Sequence, residues 1–183
     1  GMITTNSKKL YEQSKSLRNL CFGKQDRFNH EDIGWNYRMT NLQASLGVSQ
    51  LKRVRSIVRR RHRVGNEYFQ KLKNNKNIYI PETTRSYAKN IYWVIAFVIT
   101  NKNLKIDGKK LMKMLLKYGI QTRPFFWPMH KQKVFKEKYK INTSGKYKNS
   151  EYISKYGLYL PSSLDIKSNQ IKFICNKVNS ILK

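Results

Sequence analysis

Apolar residues recur at helical spacing in some stretches of the chain and crowd into short β-branched runs in others. Residues 2–5 form such a run and suit a short strand. Asn6 or Ser7 then caps a helix carrying Leu10, Leu17 and Leu20. Residues 21–39 keep no period, and a polar loop of that length in a compact chain is often functional. Thr40-Asn41-Leu42-Gln43 reads as a capping box, the threonine oxygen taking one free amide while Gln43 reaches back to another. The helix it opens keeps Leu42, Leu46, Val54, Val58, Tyr68 and Leu72 in rough phase to residue 73, and Gly65 marks a break or a close approach. Residues 78–80 suit a short strand. Residues 91–100 are β-branched and aromatic throughout, as in a strand covered on both faces. Asp107 caps a helix with Leu111, Met114, Leu115 and Tyr118, which Gly119 stops. A strand at 120–123, an aromatic loop at 124–130, helical pieces at 134–139 and 151–156, and a strand end at 159–161 follow. The last helix, from about Ser168, aligns Ile171, Ile174, Cys175, Val178 and Ile181.

That order of elements predicts a mixed α/β (α+β) chain. From residue 78 onward it suits a small antiparallel or mixed sheet with helices packed on it, whereas the first forty residues read as the tail of another domain. Hydrophobic residues make up 39% of the 183 and aromatics 13%, which supplies a core and argues against wholesale disorder. Lys and Arg number 38 against 10 acidic residues, a net charge of +28. Such a surface attracts polyanions. The excess is mostly lysine spread through every segment, which points instead to compositional drift. Cys21 and Cys175 are far apart and have no partner at metal-ligand spacing, so no disulfide framework or metal site is implied and a reducing cytoplasm fits. Residues 91–99 are the longest apolar run, far short of the ~20 needed to cross a bilayer, and residues 1–5 lack the pattern of a signal peptide.

The most specific stretch is Gly34-Trp35-Asn36-Tyr37-Arg38-Met39-Thr40-Asn41-Leu42-Gln43-Ala44-Ser45-Leu46-Gly47, continuing to Gln50-Leu51. With Gly119-Ile120-Gln121-Thr122-Arg123-Pro124, then Pro128-Met129-His130, the opening Gly1-Met2-Ile3-Thr4-Thr5-Asn6, and Tyr159-Leu160-Pro161-Ser162, it resembles the DegT/StrS sugar aminotransferases over essentially the whole chain. Within that family the pattern is most similar to members that aminate the 4-keto carbon of a GDP-linked 6-deoxyhexose. The resemblance implies the C-terminal small domain of a fold-type-I pyridoxal-phosphate aminotransferase plus the last strand and helix of its large domain. Residues 1–39 would be the tail of the cofactor domain and an interface loop, 40–77 a long connecting helix, and 78–183 the small domain. It also implies pyridoxal phosphate as cofactor, a homodimer, a nucleotide-sugar substrate and glutamate as donor. The family's catalytic lysine would precede Gly1, so no residue here is expected to be catalytic and the chain alone is expected to be inactive.

Under the same resemblance Asn36 reaches the cofactor phosphate of the other subunit, an apt role for an amide that donates without adding charge. By itself Asn36 is equally a turn residue before a helix. Arg38 assists with phosphate or sits in a surface salt bridge. Arg123 and His130, which match family positions, and Trp127 between them, form a substrate constellation for diphosphate, hydroxyl and ring faces; Phe125 and Phe126 read as core. His30 lines the same cleft in this reading, although a lone loop histidine is usually structural. His62, among arginines on a helix, reads as exposed. The run Lys52-Arg53-Val54-Arg55 through Arg59-Arg60-Arg61-His62-Arg63 carries the rival reading of a nucleic-acid surface; a solvated helix face is its bland alternative. A non-catalytic dimerisation partner is a third reading.

Overall fold

The computed structural model describes residues 1–183, the side chain of Arg85 excepted, and their packing divides into two units, Gly1–Val54 and Arg55–Lys183.

In the first unit, Ser7 Oγ accepts the amide of Leu10 and opens helix α1 (Lys8–Arg18). Left-handed backbone at Leu20 and Cys21 then turns the chain back on itself. The returning segment is tied to the end of α1 by Trp35 N to Leu17 O at 2.8 Å and Tyr37 N to Arg18 O at 3.0 Å. The stretch is thus a loop with anchored backbone. The expected strand at 2–5 does not form: Met2 and Ile3 lie exposed, and no strand of this chain pairs with them. A β-branched run makes a strand only where a neighbour supplies the ladder.

Helix α2 (Asn41–Leu72) begins as its capping box requires, with Thr40 N donating to Gln43 Oε1 at 2.9 Å and Gln43 N to Thr40 Oγ1 at 3.3 Å. Leu42, Leu46, Leu51 and Val54 along its first turns are exposed. Its buried positions, Val64, Gly65, Tyr68 and Leu72, all belong to the second unit.

The second unit is built on a four-stranded antiparallel sheet: β1 (Ile78–Tyr79), β4 (Ile95–Ile99), β6 (Gly157–Leu160) and β5 (Arg123–Pro124), in the order β1-β4-β6-β5. A separate hairpin of β2 (Thr84–Arg85) and β3 (Ala88–Lys89) has no counterpart in the periodicity, each strand being only two residues long. Central β4 buries both faces, as its unbroken apolar run requires. The strand is shorter than 91–100 because Asn90 Oδ1 takes the amide of Tyr92 at 2.7 Å and Tyr92 turns left-handed. Helices α3 (Gly108–Leu116), α5 (Lys148–Tyr156) and α6 (Ser168–Ile181), with the short α4 (Lys133–Glu137), complete the unit. Asp107 caps α3 by accepting Lys110 N at 2.8 Å, and Gly119, at φ 72°, turns the chain out of it. Tyr68, Leu72, Phe97, Ile99, Leu111, Leu115, Leu158, Ile171, Cys175 and Val178 meet in one core. Burial pushes the Cys175 thiol up to about 12, so it sits there as a small protonated hydrophobe.

Candidate functional site

In residues 35–38 of the first unit, side chains two apart pair with each other. Trp35 and Tyr37 stack with ring centroids 6.1 Å apart and planes 7° from parallel. Asn36 Oδ1 accepts from Arg38 Nε at 3.3 Å and from the Arg38 amide at 3.4 Å. The asparagine's acceptor is thereby used, and both residues are exposed. What remains is a set of donors with one full positive charge, the complement of an anionic oxygen cluster. A phosphate ester such as that of pyridoxal phosphate fits this donor set.

The second unit holds an open groove of about 880 Å³ at one end of the sheet. It is lined by the segment leading into β5 (Gly119 to Arg123), by Trp93 and Val94, by Leu160, Pro161, Ser162 and Ile166, and by Asn169, Gln170 and Phe173 of α6. Arg123 is exposed in it, and its side chain has no hydrogen-bond or ion-pair partner among the described residues. Thr122 Oγ1 is buried without a partner. Native proteins rarely strand a buried hydroxyl, and here the stranded one sits in the wall of the groove beside an unpaired cation. Trp93 is 68% exposed, and Asn169 and Gln170, whose amide oxygens accept from the amides of Gln170 and Lys167, add neutral NH₂ donors. A groove that joins an arginine to apolar and aromatic walls, Trp93, Tyr159 and Phe173 among them, suits an anionic ligand that carries a ring.

The other expected substrate residues do not line this groove. His130 Nε2 bonds Glu151 Oε1 at 3.1 Å and its ring packs on Tyr147 at 4.6 Å. Trp127 Nε1 donates to Lys131 O at 2.9 Å. Both fasten the aromatic loop. Glu151 also pairs with Lys131 at 3.0 Å, and hydrogen bonds from Lys131 and then His130 hold its carboxyl below the usual carboxylate range. His30 belongs to the first unit, where Nδ1 bonds Leu20 O at 2.6 Å and the ring packs on Phe22, so its polar edge is spent on the turn. Phe125 stacks on Tyr159 at 4.7 Å. His62 is half-buried rather than exposed, edge-on to Tyr92, with Nε2 unpartnered.

The basic run also departs from expectation. Arg61 donates to Ser162 O at 2.8 Å, Arg63 to Ile166 O at 2.9 Å, and Arg60 to Leu164 O at 3.1 Å and to the Asp165 carboxylate. These guanidinium groups are committed to a loop of the same unit instead of standing free for a polyanion. Trp93, Asn169 and Gln170 were invisible as site residues because nothing in their spacing marks them; only the fold brings them to one groove.

Solved structures with the same fold include an aminotransferase of pseudoaminic acid biosynthesis, PseC from Helicobacter pylori, which superposes with a TM-score of 0.82 at 21% identity over 97% of this chain and 47% of its own. DesV from S. venezuelae superposes with a TM-score of 0.82 at 21% identity over 98% of this chain and 46% of its own. The fold is therefore one that the chain shares with a part of these structures, with mixed α/β elements as expected. The model of the DegT/DnrJ/EryC1/StrS aminotransferase family matches residues 1–179, and the chain belongs to that family. Among curated relatives, the GDP-perosamine synthase of Escherichia coli O157:H7 is 28% identical over 182 residues, covering 98% of this chain and 46% of its own length. The GDP-perosamine synthase of Caulobacter vibrioides is 35% identical over 130 residues, covering 71% and 35%. The chain thus spans about half the length, or less, of the curated relatives it matches. No helix among the described residues is long and apolar enough to cross a membrane.

Proposed function

We propose that residues 1–183 are the portion of a pyridoxal-phosphate-dependent nucleotide-sugar aminotransferase that offers Asn36 and Arg38 to the cofactor phosphate and Arg123 to the substrate diphosphate. Family membership supports the reaction class, and the relatives bearing the name GDP-perosamine synthase support a GDP-linked keto-deoxysugar, such as GDP-4-keto-6-deoxymannose, as acceptor with glutamate as donor. The Asn36–Arg38 pair carries the reading, because its acceptor is used internally and the groups left over on these exposed side chains are donors. Pyridoxal phosphate, when bound, supplies the electron sink for amino transfer. This chain's residues anchor it and orient the substrate. The lysine that holds the cofactor in the family has no counterpart among residues 1–183 and is placed outside them, so this segment alone is proposed to be inactive. In a homodimer Asn36 of each subunit serves the site of the other. Residues 1–39 belong with the cofactor domain, 40–77 connect, and 78–183 form the small domain.

The groove is tested by replacing Arg123. Arg123→Gln removes a charged hydrogen-bond donor from a diphosphate, which weakens GDP binding about tenfold or more while the melting temperature holds. Equal GDP affinity in the variant and the wild type sinks the assignment of the groove.

A further inference from the structure

Strand β6 ends at Leu160 and α6 begins at Ser168, and the segment between them makes one wall of the groove through Pro161, Ser162 and Ile166. Within itself this segment has only weak ties: Ile166 N to Ser163 O at 3.3 Å and Asp165 N to Ser163 Oγ at 3.3 Å. Its carbonyls point instead to one face of α2. Tyr68 Oη donates to Pro161 O at 2.8 Å, Arg61 to Ser162 O at 2.8 Å, Arg60 to Leu164 O at 3.1 Å and Arg63 to Ile166 O at 2.9 Å. Positions 60, 61, 63, 67 and 68 share a face at helical spacing, so this arrangement follows from the helix. Glu67 extends it, accepting from Arg63 at 2.9 Å and from Ser168 Oγ, at the start of α6, at 3.0 Å.

We infer that this face of α2 is a clamp, and that Arg60, Arg61 and Arg63 are positioning residues that hold the 161–166 segment as a fixed wall of the groove. Arginine suits the task because its planar fork reaches two acceptors at once: Arg60 takes Leu164 O with Asp165, and Arg63 takes Ile166 O with Glu67. The Arg60–Asp165 ion pair is solvent-exposed and contributes little by itself. The bonds to carbonyls matter more, since each satisfies a backbone acceptor that neither the sheet nor α6 reaches. Burial keeps the Tyr68 hydroxyl protonated well above its ordinary range, so it remains a donor throughout. Pro161, Ser162 and Ile166 are then held in place in the lining that they share with Thr122 and Arg123. The consequence for a ligand rests on the nucleotide-sugar reading of that groove; the clamp itself does not.

The test replaces Arg61 and Arg63 together with Gln, and separately with Lys, in the whole protein. Amide hydrogen exchange is read at Asp165, Ile166 and Lys167, and GDP binding is measured by titration. In the Gln variant, exchange at those amides rises about tenfold or more while β4 keeps wild-type protection, and GDP affinity falls several-fold. The Lys variant recovers part of both, one donor replacing a fork. Unchanged exchange at 165–167 overturns the clamp whatever the ligand does. Loosened exchange with unchanged GDP affinity, in a protein where Arg123→Gln weakens GDP, also overturns it, because the wall then does not set the groove. If the wild type takes up no GDP, the groove reading fails and exchange alone decides the clamp. If β4 also loses protection, the single Arg61→Gln variant is read by the same criteria.

Discussion

Gly65 occupies a point where helix propensity and packing oppose each other. A Cβ built there meets the Tyr92 ring at 2.2 Å, and that ring is buried, with its hydroxyl on Asn66 Oδ1 at 3.3 Å. Alanine gains up to about 1 kcal/mol of helix propensity, but the atoms it meets are at the ring's attached end, which moves only with the backbone or the whole side chain, and overpacking of this kind costs ~1–3 kcal/mol. Gly65→Ala is therefore expected to lower the melting temperature; an unchanged or raised value contradicts the contact. The sequence offered either a break or a close approach at this position, and α2 runs through it unbroken. Glu151 sets a second expectation. Its carboxyl titrates below its ordinary range because the folded state supplies the Lys131 and His130 hydrogen bonds. A depressed folded value means that the contribution to stability is complete above the usual carboxylate range and is lost as pH falls through the folded value. The stability advantage of the wild type over Glu151→Gln should accordingly fade on acidification, and a pH-independent gap in thermal melts would exclude the pairing.

At the level of elements, legibility followed periodicity and caps. Helices α1, α2 and α3 were readable because Ser7, Thr40 and Asp107 open them with local hydrogen bonds while apolar residues repeat inside, and α6 was readable from its apolar repeat. The expected strand at 78–80 was shortened at one end and that at 91–100 at both, and the one at 120–123 shifted to β5, because pairing partners decide strand limits. The hairpin of β2 and β3 was too short to leave a period. Asn36 and Arg123 could be singled out by motif, and the structure finds each exposed, with side-chain donors left over. His130, Trp127 and His30 were chosen by the same logic, yet each has a nitrogen bonded inside the protein. The sequence carries no record of where a loop carbonyl or a distant carboxylate will lie. For the same reason the arginines of α2 read as a charged surface, although three of them bind a loop about a hundred residues further along.

On the scale of the molecule, the proposed function divides the chemistry between the two units: donors for a phosphate in Gly1–Val54, and a groove with an unpaired arginine side chain in Arg55–Lys183. Family membership joins both to one reaction class, and the central claim is that Asn36 serves a cofactor site shared between subunits. Mixed dimers test it most directly. One chain carries Asn36→Ala, and the other is a full-length chain whose cofactor-holding lysine is replaced. If Asn36 acts across the interface, one site of the mixed dimer carries both defects and the other carries neither. Transaminase activity then returns to roughly half that of a wild-type dimer, as two-fold symmetry requires. No recovery in verified mixed dimers would place Asn36 within its own subunit's site, or outside any site, and would contradict the account.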